Sequence, residues 1–375
     1  MTTPRPIANL IADRFVGHQV NLLRFAVGER TAIFDFLGQI QRDLQAKIIA
    51  SDVDERTVFQ ERRLQALWKT ADATIRTGYA NIAAVHHERL ATLAALVSDQ
   101  TLKLTNAQIG VPLLTVGVPA ATLKALVDKD LVLGLPAKDW WAKQVPTLKA
   151  AFQQTIRQGV FAGDTLGDLL RRVRGTRERR FQDGLMARFG RQAEALIRTS
   201  VQSVANAARY ETLKANDDVL AGQQVLTALD GSVCPLCMGR SGFAWDFDGH
   251  PLNEQTKESF PGPPPWHFND RCALIPVLKS WAQLAHEAKG NAKLGKKLDR
   301  IEDKIGTGTQ ASMNGQVAAD LSYEEWLDRR TEAEQKKILG PGKYALWKSG
   351  DMSLTDLVDQ SGRPLTLEEL RASVA

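Results

Sequence analysis

Residues 224–237 read Gln-Val-Leu-Thr-Ala-Leu-Asp-Gly-Ser-Val-Cys-Pro-Leu-Cys, and this stretch decides the fold class. Gln224 to Leu229 alternates apolar and polar side chains, the period of a strand with one buried face. Asp230-Gly231 is a turn signal. Cys234 and Cys237 then stand two residues apart, so a tight knuckle carries both thiols on one side. Phe243 to Phe247 and Ala273 to Leu278 are two further short strand candidates. Between them runs a loop with Pro261, Gly262, Pro263, Pro264 and Pro265, too proline-rich to build a core of its own. Three short strands are marginal alone, so this module needs support.

The third and last cysteine, Cys272, lies close to His267 in the same region. An odd count clustered in one short segment argues against a disulfide framework. Cys234, Cys237, His267 and Cys272 have the sulfur and imidazole donors that tetrahedral zinc takes, with Asp270 and His250 as substitute ligands. A structural zinc is worth on the order of 10–16 kcal/mol apparent in small domains, enough to decide whether three strands fold. Two other readings stay open: reduced cysteines packed in a small core, and a redox or catalytic role. Four protein ligands would close the coordination shell, which leaves no open position for catalysis. His267 and Asn269 near Cys272 suggest a scrambled His-Asn-His nuclease, but the histidine expected before the knuckle is missing.

Outward from this module the chain reads as helix. Leu22, Phe25, Ala26, Ile33, Phe34, Phe36, Leu37 and Ile40 recur at three and four, and helical periodicity extends from about Ile7 to Gln108. The neighbours His86 and His87 point apart on a helix and are read as solvated or partly packed. Residues 110–145 are broken by Pro112, Pro119 and Pro136, with Pro146 just beyond, and suggest short helices in an irregular connector. At least one of Trp140 and Trp141 is expected in the core. Thr165 and Asp168 form a capping box before an apolar face of Leu166, Leu169, Leu170 and Val173.

Eight arginines follow: Arg171, Arg172, Arg174, Arg177, Arg179, Arg180, Arg188 and Arg191, opposed within that stretch by Glu178 and Asp183 alone. This local excess is larger than the whole chain's net charge of +5. It suits DNA phosphate or an acidic partner surface, and equally a solvated helix face. A long helix is expected from about Gln182 to Ala215. It carries a buried stripe through Ala193, Ile197, Val201, Val204 and Ala208, and a polar stripe through Thr199, Ser203, Asn206 and Tyr210 that should dock on the strand module. A charged helix from Trp281 to about Lys304, a flexible linker at 305–320 and short capped helices at 321–375 complete the reading. Ser322 with Glu325, Gly340-Pro341, and Thr366 with Glu369 are the helix signals of that last part.

The chain has 375 residues, 43% hydrophobic and 24% charged, which is ordinary for a globular protein. Neither a secretory signal pattern nor a membrane span is visible. The expected architecture is mainly α with a small α+β module. A helical domain and connector occupy 1–150, the Cys/His-bearing domain 151–304, the linker 305–320 and the helical tail 321–375.

Taken together, Arg198-Thr199, Asn206, Arg209 and Tyr210 on one helix, Leu229-Asp230, Cys234-Pro-x-Cys237, the proline-rich loop and His267-x2-Asp270-Arg271-Cys272-x-Leu-Ile-Pro276 resemble the head morphogenesis domain of Mu F-like phage minor head proteins. The likeness covers about residues 150–280. The tail is also similar, through Tyr323-x2-Trp326-Leu327, Leu339-Gly340-Pro341 and Leu346-Trp347-x2-Gly350. Where the family shows a cysteine three residues after the histidine, this chain has Asp270, so the fourth ligand falls to Asp270 or Cys272. The resemblance implies a low-copy, non-enzymatic virion protein, inside the head or at its portal vertex, assembled in the host cytoplasm. Its implied partners are the portal, the major capsid or scaffold protein, and packaged double-stranded DNA. The rival readings are a zinc-dependent nucleic-acid-binding protein and a metal-dependent nuclease.

Overall fold

The computed structural model describes residues 7–53, 60–109, 112–129, 131–280, 283–284, 309–312, 315–318, 322–358 and 364–374. The charged segment expected from Trp281 to Lys304 lies almost wholly outside the described residues.

Two long helices, α1 (Ile7–Ile49) and α2 (Gln60–Ile109), dominate the N-terminal part. On α2 the buried positions Leu64, Leu67, Trp68, Ala71, Ile75, Tyr79 and Ile82 repeat at three and four, the stripe that holds a helix on a core. The two helices run antiparallel: Glu29 meets His86, and Gly78 sits so close to Ile40 that a Cβ there would lie 2.4 Å from its Cγ1. Helices α3 (Ala120–Leu126), α4 (Ala137–Ala162), α5 (Leu166–Arg174) and α6 (Leu185–Lys214) pack onto this hairpin. The capping box at Thr165 and Asp168 is formed.

The connector is shorter than its prolines suggested. Pro146 lies inside α4 rather than at its start. An internal proline costs a helix roughly 3 kcal/mol. Here Trp141, Val145, Leu148, Phe152 and Ile156 bury one continuous face of α4, and that tertiary packing overrides the local preference. Trp141 is fully buried, as expected for one of the pair. Trp140 donates its indole N–H to the Val132 carbonyl.

The strand module is a three-stranded antiparallel sheet of β1 (Leu220–Leu226), β2 (Ala244–Trp245) and β3 (Ala273–Leu278), in the order β2-β1-β3. β3 falls where its sequence put it, whereas β1 ends at Leu226 instead of Leu229. The reason is its partner. Leu226 pairs with Ala273, and the next carbonyl, of Cys272, accepts from the side chains of Gln202 and Asn206. Pro276 is accommodated because β3 is an edge strand. Gly222 is required where β2 crosses closely, since a Cβ there would stand 2.0 Å from the Trp245 carbonyl oxygen.

Both faces of the sheet are covered. Val225, Trp245 and Leu274 face one core, and Leu220, Leu226, Ala273 and Ile275 face another. The second core is completed by Ile11 and Phe15 of α1, Ile109 of α2 and Leu213 of α6. The first is completed from the chain's end, by Tyr323, Trp326, Leu327, Trp347 and Leu354. These belong to α8 (Tyr323–Asp328), α9 (Glu332–Leu339), α10 (Pro341–Lys348), a 3-10 turn at Leu354–Leu357 and α11 (Leu367–Val374). The C-terminal helices therefore share a core with the sheet rather than trailing from it. Their expected caps at Ser322 and Thr366 form, and Pro341 opens α10. Within the stretch read as a linker, β4 (Thr309–Ser312) pairs with β5 (Gly315–Ala318). Asn-Gly at 314–315 is a hairpin signal that the polar composition masked. No helix among the described residues is long and apolar enough to cross a membrane.

Candidate metal centre

Cys234 is the N-cap of α7 (Pro235–Gly239), and its sulfur accepts the Cys237 amide at 3.4 Å. Pro235 takes the first helical position, where a missing N–H costs nothing. The knuckle thus turns both thiols toward the proline-rich loop, which delivers His267. The imidazole Nε2 lies 3.0 Å from the Cys234 sulfur and 3.3 Å from that of Cys237. Its Nδ1 is 2.9 Å from the Phe268 carbonyl oxygen. A carbonyl can only accept, so Nδ1 carries a proton and Nε2 is the ring nitrogen that faces the sulfurs.

Cys237 is the hub of the cluster. Cys234, Cys237 and His267 converge within 4.8 Å, and so do Cys237, Asp270 and Cys272. Tetrahedral zinc, with bonds of about 2.3 Å to sulfur and about 2.0 Å to nitrogen, spaces its ligands about 3.5–3.8 Å apart, so the donor set suits such an ion. Cys272 and Asp270 both stand beside Cys237 as the fourth donor, and Asp270 lies 3.5 Å from the Cys237 sulfur and 4.0 Å from His267 Nε2. Asp270 is also bonded to the backbone: one carboxylate oxygen accepts the Cys272 amide at 2.8 Å and the other the Trp266 amide at 2.9 Å. It folds the loop that presents His267 and Cys272. His250 stands apart, exposed and facing Asp246.

The electrostatics follow from the crowding. The Cys234 thiol is pulled down to about 4 by hydrogen bonding from Cys237 and His267. His267 is raised to about 9, chiefly by its bond to the Cys234 sulfur. Cys237, beside the Cys234 thiolate and buried, is pushed far up. Cys272 is lowered by its hydrogen bond with Cys237, but burial and Asp270 outweigh that and leave it at about 11. Two buried thiols are thus held protonated, and a bound cation would favour their ionised forms. A cleft of about 260 Å³, lined by Thr227, Ser232, Cys234, His267 and Cys272 among others, opens beside the cluster.

The polar stripe on α6 docks on this module as expected. Asn206 donates to the Cys272 carbonyl at 2.9 Å and accepts the Leu274 amide at 3.2 Å. Thr199 accepts the Asn269 amide at 3.0 Å, and Tyr210 stacks on Phe260. Arg198, grouped with these residues by the resemblance, instead points outward to Glu194 at 2.5 Å. One residue was missed. Gln202 bridges the Cys272 carbonyl to Gln19 of α1. Arg209 is fully buried against Asn206 and His18, with Phe15 under its guanidinium. Gln202 continues the three-and-four spacing of Thr199 and Asn206, the signal that could have found it.

The arginine cluster is divided by the fold. Arg171 pairs with Asp168 and Arg172 with Asp164. Arg174 lies over the Phe181 ring and Arg188 over Phe189. Arg177, Arg179 and Arg180 project from the exposed turn between α5 and α6, and Arg191 from α6, none in an ion pair among the described residues.

His86 is not solvated. It is fully buried, 3.2 Å from Glu29 and 2.8 Å from the Ser200 hydroxyl. The order acid, imidazole, hydroxyl is that of a hydrolase triad, but all three groups are sealed inside the helical core. The arrangement pins α1, α2 and α6 to one another and offers no substrate a path.

Comparison with known protein families, with curated proteins and with solved structures finds no match.

Proposed function

We propose that this chain is a minor head protein of a tailed double-stranded DNA phage, acting by binding rather than catalysis. One observation carries the reading. The residues of the motif that resembles the Mu F-like head domain are the ones that join helix, knuckle and strand: Asn206, Arg209, Cys234, Cys237, His267 and Cys272. Zinc, held by the three cysteines and His267, is the proposed metal. It would stitch the knuckle to the loop that leads into β3, a structural role. The portal is the proposed principal partner, with capsid or scaffold protein and packaged DNA beside it, and the head interior or portal vertex is the proposed location.

The test is co-assembly. The chain is co-expressed with the portal, scaffold and major capsid proteins that its neighbouring genes would encode on this reading, and procapsids are quantified by mass spectrometry. Incorporation at a few copies per particle, dependent on the portal, is expected. Absence from both portal and procapsid, with all proteins folded, refutes the reading.

A further inference from the structure

Helices α1 and α6 run antiparallel, and two clefts lie end to end along their seam. They measure about 440 Å³ and 190 Å³ and share Arg30 and Glu194, so together they form one groove. On α1 the groove extends from Leu22 to Gln41. At 1.5 Å per residue that is about 28 Å, the length of a helix of about 19 residues.

The floor is apolar: Leu22, Ala26, Leu37, Met186, Ile197 and Val201. On the α1 side Leu23 and Val27 are 44% and 60% exposed, and at the far end Phe181 is 41% exposed. Phe181 is not a loose tip. Its backbone is left-handed (φ 59°), and Arg174 lies 5.1 Å above its ring. The rim is basic, with Arg30, Arg174, Arg191 and Arg198. Its acids are Glu194, held between Arg30 and Arg198, and the buried Asp270, so the four arginines outnumber the two carboxylates.

We infer that this groove receives an amphipathic α-helix of a partner protein, with an apolar stripe against the floor and carboxylates against the arginines. Helix-in-groove recognition needs this combination of an elongated apolar floor and charged edges. Exposed aliphatics in line with a cleft mark an interaction surface. A DNA backbone would bring phosphates to the arginines but leave them above Leu23, Val27 and the floor, where they would gain nothing. The inference stands on the groove alone and does not depend on the head-assembly reading.

The test uses the full chain and fluorescent helical peptides of about 19 residues. One carries leucines at i, i+3, i+4 and i+7 with flanking glutamates; its counterpart carries lysines in place of the glutamates. A short DNA duplex is the third probe. The Leu/Glu peptide is expected to bind, and Val27→Ser and Arg191→Glu to weaken it by about ten-fold each. Phe161→Ser, at an exposed site away from the groove, leaves binding unchanged. Leu23→Ser replaces Val27→Ser should that variant fail to fold. Equal binding of the Leu/Glu and Leu/Lys peptides overturns the inference, as does indifference of the Leu/Glu peptide to both groove substitutions. Preferential binding of the duplex, sensitive to Arg191→Glu but not to Val27→Ser, overturns it in favour of a nucleic-acid surface.

Discussion

Replacing Asn206 with alanine tests how the helical domain is joined to the strand module. The amide makes three hydrogen bonds in a fully buried setting: to the Cys272 carbonyl, from the Leu274 amide and from the Arg209 guanidinium. The first loss is mild, because Gln202 still donates to that carbonyl at 2.5 Å. The second strips a buried strand amide of an acceptor, which costs about 1–3 kcal/mol. The third is more serious. Arg209 is wholly buried and pairs with no carboxylate among the described residues, and burial pulls its guanidinium down to about 9. Its Nε already has no partner, so without Asn206 only His18 remains. A hydrogen bond to a charged group is worth about 1.5–3 kcal/mol. The sum is a destabilisation of roughly 2.5–6 kcal/mol, readable as a lower urea midpoint for Asn206→Ala at neutral pH. A loss below about 1 kcal/mol would mean that this seam contributes little and that apolar packing alone seats β3 on α6.

Three further outcomes are expected. Wild-type protein purified without a histidine tag should hold about one zinc per chain, and Cys234→Ser should hold none and lose the folded sheet. Binding should release protons from the Cys237 and Cys272 thiols, so affinity rises with pH; a metal-free, fully folded wild type would make the cysteines simple core residues. His18 is held down to about 3, first by burial and then by the Arg209 charge, against 6.5 ordinarily. The unfolded chain therefore binds a proton that the folded one refuses. His18's contribution is fully present above pH 6.5 and is lost as pH falls towards 3, at up to about 1.4 kcal/mol per pH unit. His18→Gln should flatten the acid limb of stability relative to wild type, and parallel limbs would refute this. Gly222→Ala should cost about 2–3 kcal/mol by forcing β1 away from the Trp245 carbonyl, and an unchanged melting temperature would show that β2 yields freely.

Much of this protein is legible along the chain because its information is local. Three-and-four periodicity marks α1, α2 and α6, and a side chain three residues from its cap marks the starts of α5, α8 and α11. The spacing of Cys234 and Cys237 defines the knuckle, and the clustering of His267 and Cys272 names the remaining donors. Only the tertiary structure decided the rest. β1 stops at Leu226 because side chains from α6 take the Cys272 carbonyl. Pro146 sits within α4 because a buried face outweighs a local penalty. His86 is buried because Glu29 and Ser200, 57 and 114 residues away, supply its partners. Asp270 looks like a ligand in sequence, and in the fold it stands 3.5 Å from the Cys237 sulfur while its oxygens also accept the amides of Trp266 and Cys272. Residue type and spacing report what a side chain can bond; which partner it bonds depends on groups that only the folded chain brings within 3 Å or so.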